Sequence, residues 1–145
     1  MSLSLKASYI CDYLGNLGIE FSVISHDAAE TLEKCAEIEK SIGGKICKNL
    51  FLQTTTGSAH YLLMMSGEKK FVTREVSKSL GSSRLSFASG EKMEEMLGTS
   101  PGSLSITSLV FDKEKKVQLA IDRDVISEEY ICCHPCDCTA TLKIK

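Results

Sequence analysis

Two apolar runs set the terms for any fold this chain can adopt. Residues 46–53 carry Leu50-Phe51-Leu52, and residues 61–65 read Tyr61-Leu62-Leu63-Met64-Met65. Between them, residues 54–58 are Thr- and Ser-rich and contain Gly57. Short apolar runs separated by turn residues read as buried, paired strands, so the pattern predicts a central hairpin. At its head stand Lys48 and Asn49. A charge and an amide inside an apolar strand are costly to bury unpaired. Either the lysine carries its ammonium to solvent along its apolar stem, or the pair belongs to a site.

The flanking sequence supplies helices and further strands. Ala7, Ile10, Leu14 and Leu17 fall at helical spacing, and Gly18 stops that helix. Residues 21–25 alternate as a strand. Asp27 and Glu30 resemble a capping box ahead of the face Leu32, Cys35, Ile38 and Ile42, which Gly43-Gly44 ends. Beyond the hairpin the pattern predicts a short strand at 70–72. Next comes a helix capped by Thr73, with Val76 and Leu80 inward and Gly81 at its end. A second is capped by Ser89, with Met93, Met96 and Leu97 inward and Gly98 at its end. A hairpin of residues 106–111 and 117–121 follows, and strands at 130–133 and 139–144 close the chain. Helices and hairpins mix without strict alternation, which predicts an α+β fold. A length of 145 residues fits one domain, expected over 1–145.

Charge and cysteines narrow the function classes. The net charge of −2 excludes a strongly basic nucleic-acid binder of histone type, but not a local contact with one end of an RNA. Residues 60–92 carry a local excess of +3, with Lys69, Lys70, Arg74, Lys78, Arg84 and Lys92 against three glutamates. Alone, such a stretch is an ordinary solvated face. No apolar run approaches the about 18 residues of a membrane span, so no membrane partner is expected. Seven cysteines without a leader-like N-terminus predict reduced thiols and a cytoplasmic setting.

Two further segments could carry chemistry. Residues 98–105, Gly98-Thr99-Ser100-Pro101-Gly102-Ser103-Leu104-Ser105, are small enough to bring backbone groups close to a ligand, or they form a plain helix-to-strand turn. In the cluster 132–138, Cys132, His134, Cys136 and Cys138 alternate. On a regular strand they would share a face, but zinc sites draw a second ligand pair from elsewhere and none is present. A thiol nucleophile assisted by His134 is the other reading of the cluster, and small core hydrophobes are the ordinary one. His26 and His60 show no partners in the sequence.

Several motifs occur together and in order. They are Lys48-Asn49-Leu50-Phe51-Leu52, Leu80-Gly81 with Arg84-Leu85-Ser86-Phe87-Ala88, Leu97-Gly98 with Pro101-Gly102-Ser103, His134-Pro135, and Thr139-Ala140-Thr141. In this the chain resembles the YbaK/prolyl-tRNA-synthetase-associated editing domain family, and within it the free-standing ProX-like branch. The resemblance implies a mixed, mostly antiparallel sheet curled into a partial barrel with flanking helices. It implies hydrolysis of the ester of a mischarged tRNA, first of all Ala-tRNA(Pro), with Cys- or Ser-tRNA deacylation or a non-catalytic tRNA-binding role as alternatives. It implies Lys48, Asn49 and His134 as catalytic residues and Gly102, Ser103, Leu104, Ser105 and Ile106 as the loop that holds the aminoacyl group. Lys69, Lys70, Arg74 and Lys78 become candidates for tRNA contact. No metal or cofactor is called for. The expected partner is the acceptor end of a tRNA, with a prolyl-tRNA synthetase as a further one, and no DNA. Ile106 stands where the family loop has proline, and Cys138 where the family often has asparagine.

Overall fold

The computed structural model describes residues 3–27, 32–67, 69–99, 103–112, 114–137 and 139–144. The order is α1 (Leu5–Asn16), β1 (Phe21–Ser25), α2 (Leu32–Ile42), β2 (Cys47–Thr54), β3 (His60–Ser66), α3 (Thr73–Leu80), β4 (Leu85–Phe87) and α4 (Gly90–Leu97). A 3-10 helix (Ile106–Phe111), β5 (Val117–Ile121), α5 (Arg123–Ile126), β6 (Ile131–Cys133) and β7 (Ala140–Ile144) complete it. The strands form two sheets, β1-β7-β6 and β4-β2-β3-β5, joined by a parallel bridge between Ile46 and Cys132. The fold is mixed α+β, and among the described residues no barrel closes. Among the described residues no helix is long and apolar enough to cross a membrane.

The expected central hairpin forms, with Leu50 opposite Leu63 and Phe51 opposite Leu62. Strand residues alternate between faces, and both faces are covered. On the inner face Phe51 and Leu62 pack with Met93, Leu97 and Leu104. Nearer the second sheet, Met64 packs with Ile10, Leu14 and Leu142. On the outer face Leu52, Leu63, Met65 and Leu85 meet Val76 and Leu80 of α3. Ser89 caps α4 by accepting from Lys92 N, and Gly81 and Gly98 end their helices in the left-handed conformation.

Several expectations are corrected. Residues 70–72 form no strand and lead directly into α3, with Val72 at its N-cap. Thr73 is the first residue of α3 and does not cap it; Val72 holds that position without a side-chain bond. Residues 106–111 are a 3-10 helix and not a strand. Ser105 Oγ accepts from Thr107 N, and Ser108 Oγ accepts from Ser105 N at 3.1 Å, a reciprocal cap that closes the turn. β5 therefore has no hairpin partner and instead pairs in parallel with β3, His60 beside Val117 through Met64 beside Ile121. Leu17 lies past the end of α1 and is exposed. β4 and α5 had no signal in the hydrophobic pattern. Glu30, half of the expected capping box, lies outside the described residues.

Candidate active site

The site grows from the backbone of β2. Ala88 N donates to Phe51 O, and Asp122 N donates to Met64 O. Phe51 and Met64 therefore turn their peptide groups away from the β2–β3 ladder. In an antiparallel pair such residues alternate, and Asn49, opposite Met64 and two residues before Phe51, does the same. β4 covers this edge of β2 opposite residues 52–54, and Ile46 meets Cys132 of β6 at the other end. Between them, among the described residues, no strand covers the edge at Asn49. The result is a gap in the sheet with backbone donors and acceptors facing it.

Lys48 and Asn49 straddle that gap. Being consecutive in a strand, they point to opposite faces: Lys48 shares the outer face with Met65, and Asn49 the inner face with Met64 and Phe51. Both are half-buried. Among the described residues Lys48 has neither an ion pair nor a hydrogen bond, and Asn49 Oδ1 is buried without a partner. Buried polar atoms are nearly always paired, so the unpartnered Asn49 oxygen is a candidate ligand contact.

His134 follows β6. Ile46 lies beside Cys132 in an isolated parallel bridge, two residues before Lys48 in one segment and two before His134 in the other. Its Nδ1 is 2.8 Å from Ala140 O. A carbonyl only accepts, so Nδ1 carries the proton and Nε2 keeps its lone pair. Burial pushes its pKa down, the Ala140 bond opposes this, and nearby His26 lowers it further. The His26 ring lies 6.2 Å away and is held by Thr141 Oγ1 at 2.8 Å and Asp27 O at 2.6 Å. Sequence alone could not place His26 here, because its position depends on β1 pairing with β7.

The loop beyond α4 is tied to the His134 segment. Thr107 Oγ1 lies 3.0 Å from His134 O and 3.1 Å from Ser105 Oγ. Ser103, Leu104 and Ser105 are buried, Leu104 in the core against Phe51, while Ile106 opens the 3-10 helix and packs toward Met64. Their side chains turn inward, so what this loop offers a ligand is backbone. Gly102 lies outside the described residues. Thr99, fully buried just before that stretch, has an unpartnered Oγ1 that the sequence did not single out.

The cysteine cluster does not form one face. β6 ends at Cys133, and Cys136 turns back with φ 61°. Burial pushes the Cys132 thiol up to about 11 and Cys133 to about 12, which disfavours a thiolate nucleophile. Cys136 lies 3.4 Å from both Thr107 Oγ1 and Ser108 Oγ. Among the described residues no group of three His, Cys, Asp or Glu is placed to hold a metal ion. Cys138 lies outside them.

The candidate contact lysines separate. Lys69 is held by Asp122 at 2.8 Å and Asp124 at 3.3 Å. Lys69 and Lys70 line a groove of about 640 Å³ on the outer face, whose lining includes Met65, the residue opposite Lys48. Arg74 lines another cleft of that face with Arg84, and Lys78 stands one turn beyond it on α3.

With this geometry in place, residues 26–145 match the family model described as an aminoacyl-tRNA editing domain. The chain belongs to that family. It is 29% identical over 98% of its length to prolyl-tRNA editing protein ProX of Acetoanaerobium sticklandii, covering 86% of that protein. It is 27% identical over 92% of its length to prolyl-tRNA synthetase associated domain-containing protein 1 of Danio rerio, covering 73% of it. The fold is similar to a solved structure described as a candidate trans-editing enzyme for prolyl tRNA synthetase, with TM-score 0.76 at 19% identity, covering 98% of this chain and 87% of that one. The hypothetical protein APE2540 matches at TM-score 0.74 and 17% identity, covering 92% and 86%. The editing-domain match spans the β2 gap, the loop beyond α4 and His134, and it begins at His26.

Proposed function

We propose that this editing-domain protein is a trans-acting aminoacyl-tRNA deacylase whose first substrate is Ala-tRNA(Pro). The observation that carries the reading is the family match over residues 26–145. The relative named as a prolyl-tRNA editing protein supports the choice of tRNA. The need for such an enzyme is physical. A synthetase site built for proline rejects alanine by only about 1–3 kcal/mol for a missing methylene, so a second site must remove the error.

In the reaction, water adds to the ester carbonyl carbon and the bond to the ribose oxygen breaks; one water proton leaves on that oxygen, the other passes to solvent, and the amino acid departs as a carboxylate. The ester is already activated, so placement and charge stabilisation matter more than a strong nucleophile. Lys48 brings an unanswered positive charge to the gap, where it stabilises the developing oxyanion or holds the terminal phosphate. Asn49 offers its amide and its edge-facing peptide groups. His134, neutral with Nε2 free, accepts a hydrogen bond from the water or the substrate amine. The backbone of residues 102–106 holds the aminoacyl group, with Ile106 standing where the family has proline. Lys70, Arg74 and Lys78, with Lys69 in its ion pair, face the acceptor end. Residues 1–145 act as one editing domain in the cytoplasm, free or docked on a prolyl-tRNA synthetase. The Ile46–Cys132 bridge supports reading the two sheets as walls of one partly curled barrel.

The test is release of labelled alanine from Ala-tRNA(Pro), beside Pro-tRNA(Pro) and Cys-tRNA(Pro). Wild type is expected to release alanine alone, and Lys48→Ala, folded by circular dichroism, to lose about a hundredfold or more in kcat. Selective turnover of Cys-tRNA(Pro) would reassign the substrate. Binding without turnover of any of the three would sink the enzyme reading.

A further inference from the structure

The outer face of the four-stranded sheet, where β4 meets α3, carries chemistry the gap does not use. Phe87 is 60% exposed, and its ring lies 5.2 Å from that of Phe71 at an angle of 57°. Phe71 leads into α3, whose first turn lines a cleft of about 440 Å³ formed by Thr73, Arg74, Ser77 and Arg84. Lys78 stands one turn beyond Arg74 on the same helix. Among the described residues Arg74, Lys78 and Arg84 have no ion pair. The acidic residue of α3, Glu75, lines the other groove, on the far flank of the helix with Lys69 and Lys70.

An exposed ring beside unanswered cations fits a single strand of nucleic acid. Bases stack on the ring irrespective of sequence, and the cations meet the phosphates. Duplex RNA hides its base faces and cannot use the ring. The position suits a 3′ overhang. Phe87 pairs with Leu52, which shares a face of β2 with Lys48 four residues away, roughly 13 Å at the usual strand rise. A few nucleotides cross that span.

We propose that this face binds the unpaired 3′ strand of the substrate tRNA, with Phe87 stacking on a base and Arg74, Lys78 and Arg84 meeting its phosphates. The inference rests on the editing reading for its ligand, and the assay separates the two by measuring binding without chemistry. The probes are an uncharged acceptor-stem minihelix with its 3′ overhang and the same minihelix made blunt, titrated by fluorescence anisotropy.

Wild type is expected to prefer the overhang. Phe87→Ala weakens overhang binding about tenfold and leaves blunt binding unchanged, while Phe87→Trp retains the preference. Arg84→Ala lowers the slope of log K against log salt by about 0.7. On aminoacyl-tRNA, Phe87→Ala raises KM and spares kcat; on aminoacyl-adenosine, which has no strand to stack, it matches wild type. Overhang binding unaffected by Phe87→Ala, or equal losses on both minihelices, overturns the inference, as would a protein ligand competing at this face while RNA does not. A wild type that binds the overhang through Phe87 but hydrolyses no aminoacyl-tRNA fails the editing reading and leaves this one standing.

Discussion

The two ring nitrogens of His134 settle what that residue does as pH changes. Nδ1 carries its proton to Ala140 O at 2.8 Å, so the site has use for Nε2 only while the ring is neutral. Burial lowers the pKa below the ordinary 6.5, and His26 adds to the effect. The acid limb of kcat/KM is therefore expected below pH 6.5, with a plateau at neutral pH, and His134→Gln should be slow and flat over that range. An acid limb centred above 6.5 would contradict this assignment. Stability follows the same sign. The unfolded chain takes the proton first, so the contribution of neutral His134 is present above its unfolded pKa and is lost as pH falls through the folded one. Following the His134 ring by NMR titration beside the activity profile checks both. The sequence marked His134 through its motif but gave no hint of His26, which reaches it only because β1 pairs with β7.

The 3-10 helix shows how far an element could be read. Its apolar residues at 106, 109 and 110 fit a helical face as well as a strand, and the deciding feature is the hydroxyl exchange between Ser105 and Ser108. The same turn anchors the site, since the Thr107 hydroxyl lies 3.0 Å from His134 O and the carbonyl can only accept. Thr107→Val keeps the shape and removes the donor. It is expected to cost about 1 kcal/mol in urea unfolding and to lower kcat through a displaced His134. A stability loss with kcat unchanged would show that the bond serves the turn alone. Elements fixed by local chemistry were legible: the β2–β3 hairpin from its apolar runs, and α4 from its Ser89 cap and Gly98 stop. Pairing with a distant edge was not, even where the strand itself was read, as at 117–121. β4 has only three residues and exists by borrowing the edge of β2, while β5 skips its nearest neighbour in sequence to pair with β3.

Across the whole molecule, the candidate site is an absence created by where two sheets meet. Lys48 and Asn49 were legible as misplaced polar residues, but the open edge between β4 and β6 belongs to no local segment. Its geometry hangs on the one bridge that joins the two sheets among the described residues, between Ile46 and Cys132, and a glycine lets that bridge sit where it does. A Cβ on Gly67 would lie 2.6 Å from Ile46 O, a backbone atom with no rotamer to yield. Gly67→Ala must therefore push Ile46 away and shift the start of β2 against β6. The expected cost is about 1–3 kcal/mol in unfolding, as for other overpacked positions. The decisive readout is the ratio of activities. Moving Lys48 relative to His134 should lower kcat on aminoacyl-tRNA by about tenfold or more while uncharged minihelix binding, carried by the distant α3–β4 face, stays near wild type. Equal losses in kcat and binding would mean that the two faces move as one body and that the bridge does not set the gap.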